Sequence, residues 1–190
     1  FHGIASHAGN DPEKGRSAVV EMAHWILELG KHNDYANGTS LTIGLVKGGS
    51  ASNVVPEYAE ATLDLRFWDN NKFDEIKALL DKLAAKPFVD GVKVEVRVQA
   101  KKPAMVMNAG TEKLMHFVEA AGKKIGLPIT WQAVGGGSDA NVTSAHGIPS
   151  LDGFGPIGAC FHSDKEYLEI DSIEQRVALL KATIEEIAAA

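Results

Sequence analysis

The chain has almost no cysteine. Cys160 stands alone, so neither an internal disulfide framework nor a cysteine-rich zinc knuckle is possible. It also lacks an excess of positive charge. Nineteen Lys and Arg face 25 Asp and Glu, a formal charge of −6 over 190 residues. Without a basic stripe, nucleic acid is excluded as the main partner. No apolar run reaches the roughly 18 residues that a membrane span needs, and no membrane partner is expected. There is no repeat of solenoid period and no low-complexity tract. The opening residues FHGIASHAG carry no initiator Met, charged leader or apolar stretch, so no secretory signal is visible. The reading is of a piece of something longer.

What is present has an ordinary soluble composition, 45% hydrophobic and 23% charged. Periodicity gives the elements. Phe1 to Ser6 reads as a short strand. Asp11, Pro12 and Glu13 read as a helix start, with Pro at the first helical position. Ala18, Met22, Trp25 and Leu29 follow at helical spacing, and Gly30 closes that helix. Leu41, Ile43 and Leu45 alternate with Thr42, Gly44 and Val46 as a strand. Ala59, Ala61, Leu63, Leu65 and Phe67 share one face of the next, opposite Glu60, Thr62, Asp64, Arg66 and Trp68. A second helix puts Phe73, Ile76, Leu80 and Leu83 inward, with Asp69 or Asn70 to cap it. Val92, Val94, Val96 and Val98 make the last strand. The order βαββαβ, with one apolar and one polar sheet face, predicts a ferredoxin-like sandwich over residues 1–100.

Residues 101–190 read as αβαβα. The helices are Thr111 to Gly126, one entered through the GGGSDAN turn, and Ile173 to Ala189. Ile129 to Ala133 and Ile148 to Leu151 read as short strands at the edge of a larger sheet. The fold class is therefore α/β with an α+β first domain.

Two histidines stand apart from the other five. His7 lies in SHAGNDPEKG, a small-residue turn that a ligand can approach closely. His162 lies in FHSDKEY, with Ser163, Asp164 and Glu166 near enough to orient an imidazole toward a metal. The His32-Asn33-Asp34 triplet sits in a polar turn and reads as chance. Glu185 and Glu186 diverge on a helix and read as a solvated face. Three glycines at 135–137 permit close backbone approach, and Ser138 or Asp139 can cap the helix that follows. Arg66 on the polar sheet face is a residue suited to grip a carboxylate.

In order, the chain carries SHAG-x-x-PE-x-G-x-x-A, GG-x-x-x-NVVP, D-x-R, GGGSDA and HS-x-x-EY. This set resembles the zinc metallopeptidase family with a dimerisation (lid) domain, which includes bacterial glutamate carboxypeptidases, acetylornithine deacetylase and succinyl-diaminopimelate desuccinylase. The resemblance covers nearly the whole chain. It implies that residues 1–100 are the lid and 101–190 the C-terminal part of the catalytic domain. It implies a homodimer through the lid and two zinc ions per site. It implies hydrolysis of an amide in a small peptide or N-acyl amino acid with a free carboxylate. His162 matches the last metal ligand. His7 matches the lid histidine that polarises the scissile carbonyl in the partner's site. Asn53 and Arg66 match lid positions that hold the substrate's carboxylate end, and Gly136, Gly137 and Ser138 match the substrate-binding loop. The family's other zinc ligands and its general-base Glu belong to an upstream region. Lys102 stands before Pro103, where glutamate carboxypeptidases of this type tend to carry Arg. The alternative is a homologue that dimerises and binds carboxylates without catalysis. A cytoplasmic location is preferred to a periplasmic or secreted one.

Overall fold

A computed structural model describes all residues from Phe1 to Ala190. The chain forms two compact units, Phe1–Ala104 and Met105–Ala190.

In the first unit, β2 (Ser40–Gly48) and β4 (Ala59–Arg66) pair antiparallel from Ser40↔Arg66 to Gly48↔Ala59. His2 bridges antiparallel to both Tyr58 and Lys93. The extended N-terminal residues thus lie between the β4 line and residue 93, which is the antiparallel order of a ferredoxin-like sheet. Helices α1 (Ala18–Gly30) and α2 (Asn71–Ala85) supply Trp25, Leu29 and Ile76 to one core with Leu41, while Leu63, Leu65, Leu80, Leu83, Val94 and Val96 pack round it. Ala18, Met22 and Ala59 form a second cluster. On β4 the expected alternation holds: Ala59, Ala61, Leu63 and Leu65 are covered, and Glu60, Thr62, Asp64 and Arg66 are exposed.

Four local expectations are corrected. Helix α1 starts at Ala18, capped by Ser17 Oγ accepting from Val20 N at 3.2 Å. Asp11, Pro12 and Glu13 belong instead to a separate 3₁₀ turn, Pro12–Lys14. Between the two, Arg16 pairs with Ile4, and extended backbone there interrupts any continuous helix. The first strand is not continuous either. It is three isolated bridges, two at His2 and one at Ile4, then β1 (Ser6–His7), which pairs with β3 (Val54–Val55).

On β2 the register shifts between Ile43 and Leu45. The extra residue, Gly44, turns Leu45 away from Leu41 and Ile43, and Leu45 is 71% exposed. Residues 92–96 keep their side-chain alternation while Val98 is exposed, and the segment's pairing is a single isolated bridge at Lys93. With His2 opposite Lys93 in antiparallel sense, Val94 onward runs past Phe1 and meets no strand partner within the chain.

In the second unit, α3 (Ala109–Ile125) packs on α5 (Asp171–Ala188) through Val118, Ala121, Leu179 and Ala182. Asn108 caps α3 by accepting from Gly110 N and Thr111 N. Between them lies the short α4 (Ala140–Ala145). Residues 129–133 and 148–151 form no strand. A strand needs a neighbour to satisfy its backbone groups, and these segments have none here. Ile129 and Leu151 still pack on the α3–α5 core. The unit's only ladder is a hairpin of β5 (Gly158–Ala159) with β6 (Tyr167–Leu168).

Candidate functional site

The SHAG and NVVP segments of the first unit meet at the β1–β3 ladder. Ser6 lies opposite Val55 and His7 opposite Val54. One step on, Ala8 N donates to Asn53 O at 2.9 Å. His7 and Asn53, far apart in sequence, are therefore diagonal neighbours at one corner of the unit, and both are exposed. Gly15 makes this corner possible. A Cβ there would lie 2.4 Å from Ser6 Oγ and 2.7 Å from Val55 Cβ, so only glycine lets the 3₁₀ turn close on the ladder.

Within the turn, Nδ1 of His7 accepts from the backbone N–H groups of Gly9 and Asn10, each at 3.1 Å. Arg66 is elsewhere. It lies at the far end of β4 from Ala59, about 23 Å away at ~3.3 Å per residue. Its guanidinium is forked onto Asp64, with Nε donating to Oδ1 at 2.5 Å and a terminal nitrogen to Oδ2 at 2.8 Å. That hydrogen bond holds Arg66 further above its ordinary pKa. The structure thus joins His7 with Asn53 and separates both from Arg66 within one chain.

In the second unit, Ser138 opens α4. Its Oγ accepts from Ala140 N at 3.3 Å, and its own N–H donates to Asn141 Oδ1 at 2.8 Å. Ser138 caps the turn, as one sequence alternative has it, and Asp139 makes no side-chain cap. A Cβ at Gly136 would meet nothing within 4 Å, so that stretch of loop is open.

His162 sits on the turn of the β5–β6 hairpin. Both it and Cys160 have left-handed backbone, at φ 64° and 61°. Such strain persists only where surrounding bonds impose it. Here Ser163 Oγ donates to Cys160 O at 2.7 Å, and Glu166 Oε2 accepts from His162 N at 3.1 Å. Glu166 therefore orients the backbone of His162, not its imidazole, which corrects the expected role. No three His, Cys, Asp or Glu side chains converge anywhere in the chain. These residues alone do not make a metal centre.

The family model of the peptidase dimerisation domain, M20, matches residues 1–92. Carboxypeptidase G2 of Pseudomonas sp. is 31% identical over 98% of this chain and 46% of its own length. The chain is thus similar to M20 peptidases, through their dimerisation domain over residues 1–92 and through whole relatives over nearly all of its own length. Succinyl-diaminopimelate desuccinylase of Psychrobacter arcticus is 28% identical, over 95% of this chain and 44% of that protein. The crystal structure of aminopeptidase PepT from Bacillus cereus superposes with a TM-score of 0.69 at 26% identity, over 98% of this chain and 50% of that one. A Staphylococcus aureus tripeptidase shares the fold with a TM-score of 0.71. The chain spans about half the length of the curated relatives it matches.

The His32-Asn33-Asp34 triplet and the Glu185–Glu186 pair make only local or surface contacts. Asp34 Oδ1 accepts from Asn37 N in its own turn, and Glu186 pairs with Lys124 at 3.1 Å. His146 Nδ1 lies 2.8 Å from Val142 O at the end of α4. Sequence reasoning missed the Gly9 and Asn10 amides, because a backbone donor leaves no side-chain signature. It also missed Asp64 as the partner of Arg66, although the D-x-R spacing places both on one strand face.

Proposed function

We propose that these residues form part of a zinc-dependent hydrolase that cleaves an amide bond in a peptide or N-acyl amino acid bearing a free carboxylate, in the manner of a carboxypeptidase. On this reading residues 1–100 are the lid and 101–190 the C-terminal part of the catalytic domain. The observation that carries it is the β1–β3 ladder, which sets His7 beside Asn53 with Nε2 of the imidazole unengaged. A donor at that corner suits a carbonyl oxygen whose negative charge grows during hydrolysis. Arg66, already held in a fork by Asp64, would receive a carboxylate at a separate position. The likeness to carboxypeptidase G2 and a desuccinylase supports the substrate class.

His162 would supply one zinc ligand, with the others and the general base coming from outside these residues. Gly136, Gly137 and Ser138 would line the substrate's path. The separation of His7 from Arg66 suits a homodimer in which two lids serve each site. The edge of β2, with exposed Leu45 and Val46, and exposed Leu27 on α1 would form its interface.

The test is metal content and amide hydrolysis of the whole protein, purified without chelator. About two zinc ions per chain with turnover of N-acyl amino acids bearing a free carboxylate is the expected result. No bound zinc, none regained on addition and no turnover would leave a dimerising, carboxylate-binding module.

A further inference from the structure

The two amides that face His7 settle which of its nitrogens carries the proton. A ring nitrogen accepting hydrogen bonds presents its lone pair and holds no hydrogen, so the neutral imidazole keeps its one proton on the other nitrogen. Here Gly9 N and Asn10 N both donate to Nδ1 at 3.1 Å. A proton on Nδ1 would point at two N–H groups.

We infer that Gly9 and Asn10 are positioning residues whose amides lock His7 as the Nε2–H tautomer, making it a fixed hydrogen-bond donor and not a base. The turn is built to hold them there. Ala8 N bonds to Asn53 O at 2.9 Å on one side, and Asp11 N to His7 O at 3.2 Å closes the other. A Cβ on Gly9 would make only ordinary contact with the ring, 3.4 Å from Cε1 and 3.6 Å from Nδ1 of His7, so it is the amide of Gly9 that acts on the ring and not its missing side chain.

The arrangement inverts the common one. A carboxylate or carbonyl accepting from Nδ1–H leaves Nε2 with a lone pair, fit to take a proton. Two amides donating to Nδ1 leave Nε2 with the hydrogen, fit to bond an oxygen that gains charge. His7 then stabilises an oxyanion without exchanging a proton. The catalytic consequence rests on the hydrolase reading above; the tautomer does not.

Long-range ¹H–¹⁵N spectra of the labelled chain test it directly, with the His7 signals assigned by their loss in His7→Gln. The expected result is the Nε2–H pattern for His7, with coupling through hydrogen bonds from the Gly9 or Asn10 amide nitrogen to Nδ1. An Nδ1–H pattern, or a mixture of tautomers, overturns the lock and leaves the hydrolase reading untouched. In the whole enzyme, His7→Gln keeps an N–H near the Nε2 position, whereas His7→Asn does not. His7→Asn should lose roughly 10²–10³ in turnover, as for loss of an oxyanion donor, and His7→Gln less than about tenfold. Equal losses alongside an intact Nε2–H signature would overturn the donor role while the tautomer lock stands.

Discussion

The carboxylate of Glu21, fully buried on α1, accepts a 2.7 Å hydrogen bond from the backbone N–H of Val89, 68 residues further on. Its other oxygen accepts from Trp25 Nε1 at 2.8 Å. One acid thus ties α1 and the central tryptophan to the loop that leads into residues 92–98. Glu21→Ala leaves the buried Trp25 Nε1–H and the half-buried Val89 N–H without partners, at about 1–3 kcal/mol for the buried one and less for the other. A loss of about 2–4 kcal/mol in urea unfolding is expected, with Glu21→Gln losing less because one oxygen remains. An alanine variant within about 0.5 kcal/mol of the parent would show that the tie does not hold the unit together.

Arg66 gives a kinetic prediction. If its guanidinium grips a substrate carboxylate, Arg66→Ala in the whole enzyme removes a charged hydrogen bond of about 1.5–3 kcal/mol. KM should rise roughly 10- to 100-fold, with a smaller change in kcat if the grip is equal in ground and transition states. An unchanged KM would move the carboxylate site elsewhere.

The β2 edge should govern association. Leu45 is 71% exposed on a strand that pairs on one side only. Edge strands with exposed apolar residues pair with other chains, and a lysine there blocks pairing. Sedimentation should show dimer for the parent and monomer for Leu45→Lys at tens of micromolar, by design of the measurement well above a stable dimer's dissociation constant. A variant that still sediments as dimer would exclude this edge.

Tyr58 and Glu60 give the pH prediction. The phenol donates to Glu60 Oε2 at 2.6 Å. That bond raises the Tyr58 pKa above 10.0, and the same bond, then Lys47, lowers Glu60 below 4.5. The sign follows for each group. Stability from the depressed Glu60 is present above its unfolded pKa and lost as pH falls through its folded value. Stability from the raised Tyr58 is present below its unfolded pKa and lost as pH rises through its folded value. Phenolate absorbance should show Tyr58, identified by Tyr58→Phe, ionising above the ordinary tyrosine range. Ionisation at or below that range would mean the pair does not persist in solution.

Much of the fold was legible because it is local. The stripe Ala18, Met22, Trp25, Leu29 needs only the helical period, and the alternation of β4 needs only the strand period. The same period misleads on β2, where the inserted Gly44 changes which face Leu45 presents. It also cannot show that residues 92–98 lack a ladder, since a strand exists by its neighbour and not by its own pattern. The missing strands at 129–133 and 148–151 have the same cause.

The candidate residues divide in the same way. Their chemical types determined by themselves that His7 and His162 could bond or ligate and that Arg66 could hold an anion. The order of the motifs carried the family. The tertiary structure alone decided that His7 stands beside Asn53, that Arg66 lies at the far end of β4 on Asp64, and that two amides set the His7 tautomer. The reason is physical. Residue type fixes which protons and lone pairs exist, but a hydrogen bond depends on distance and direction, and those come only from the packing of segments remote in sequence.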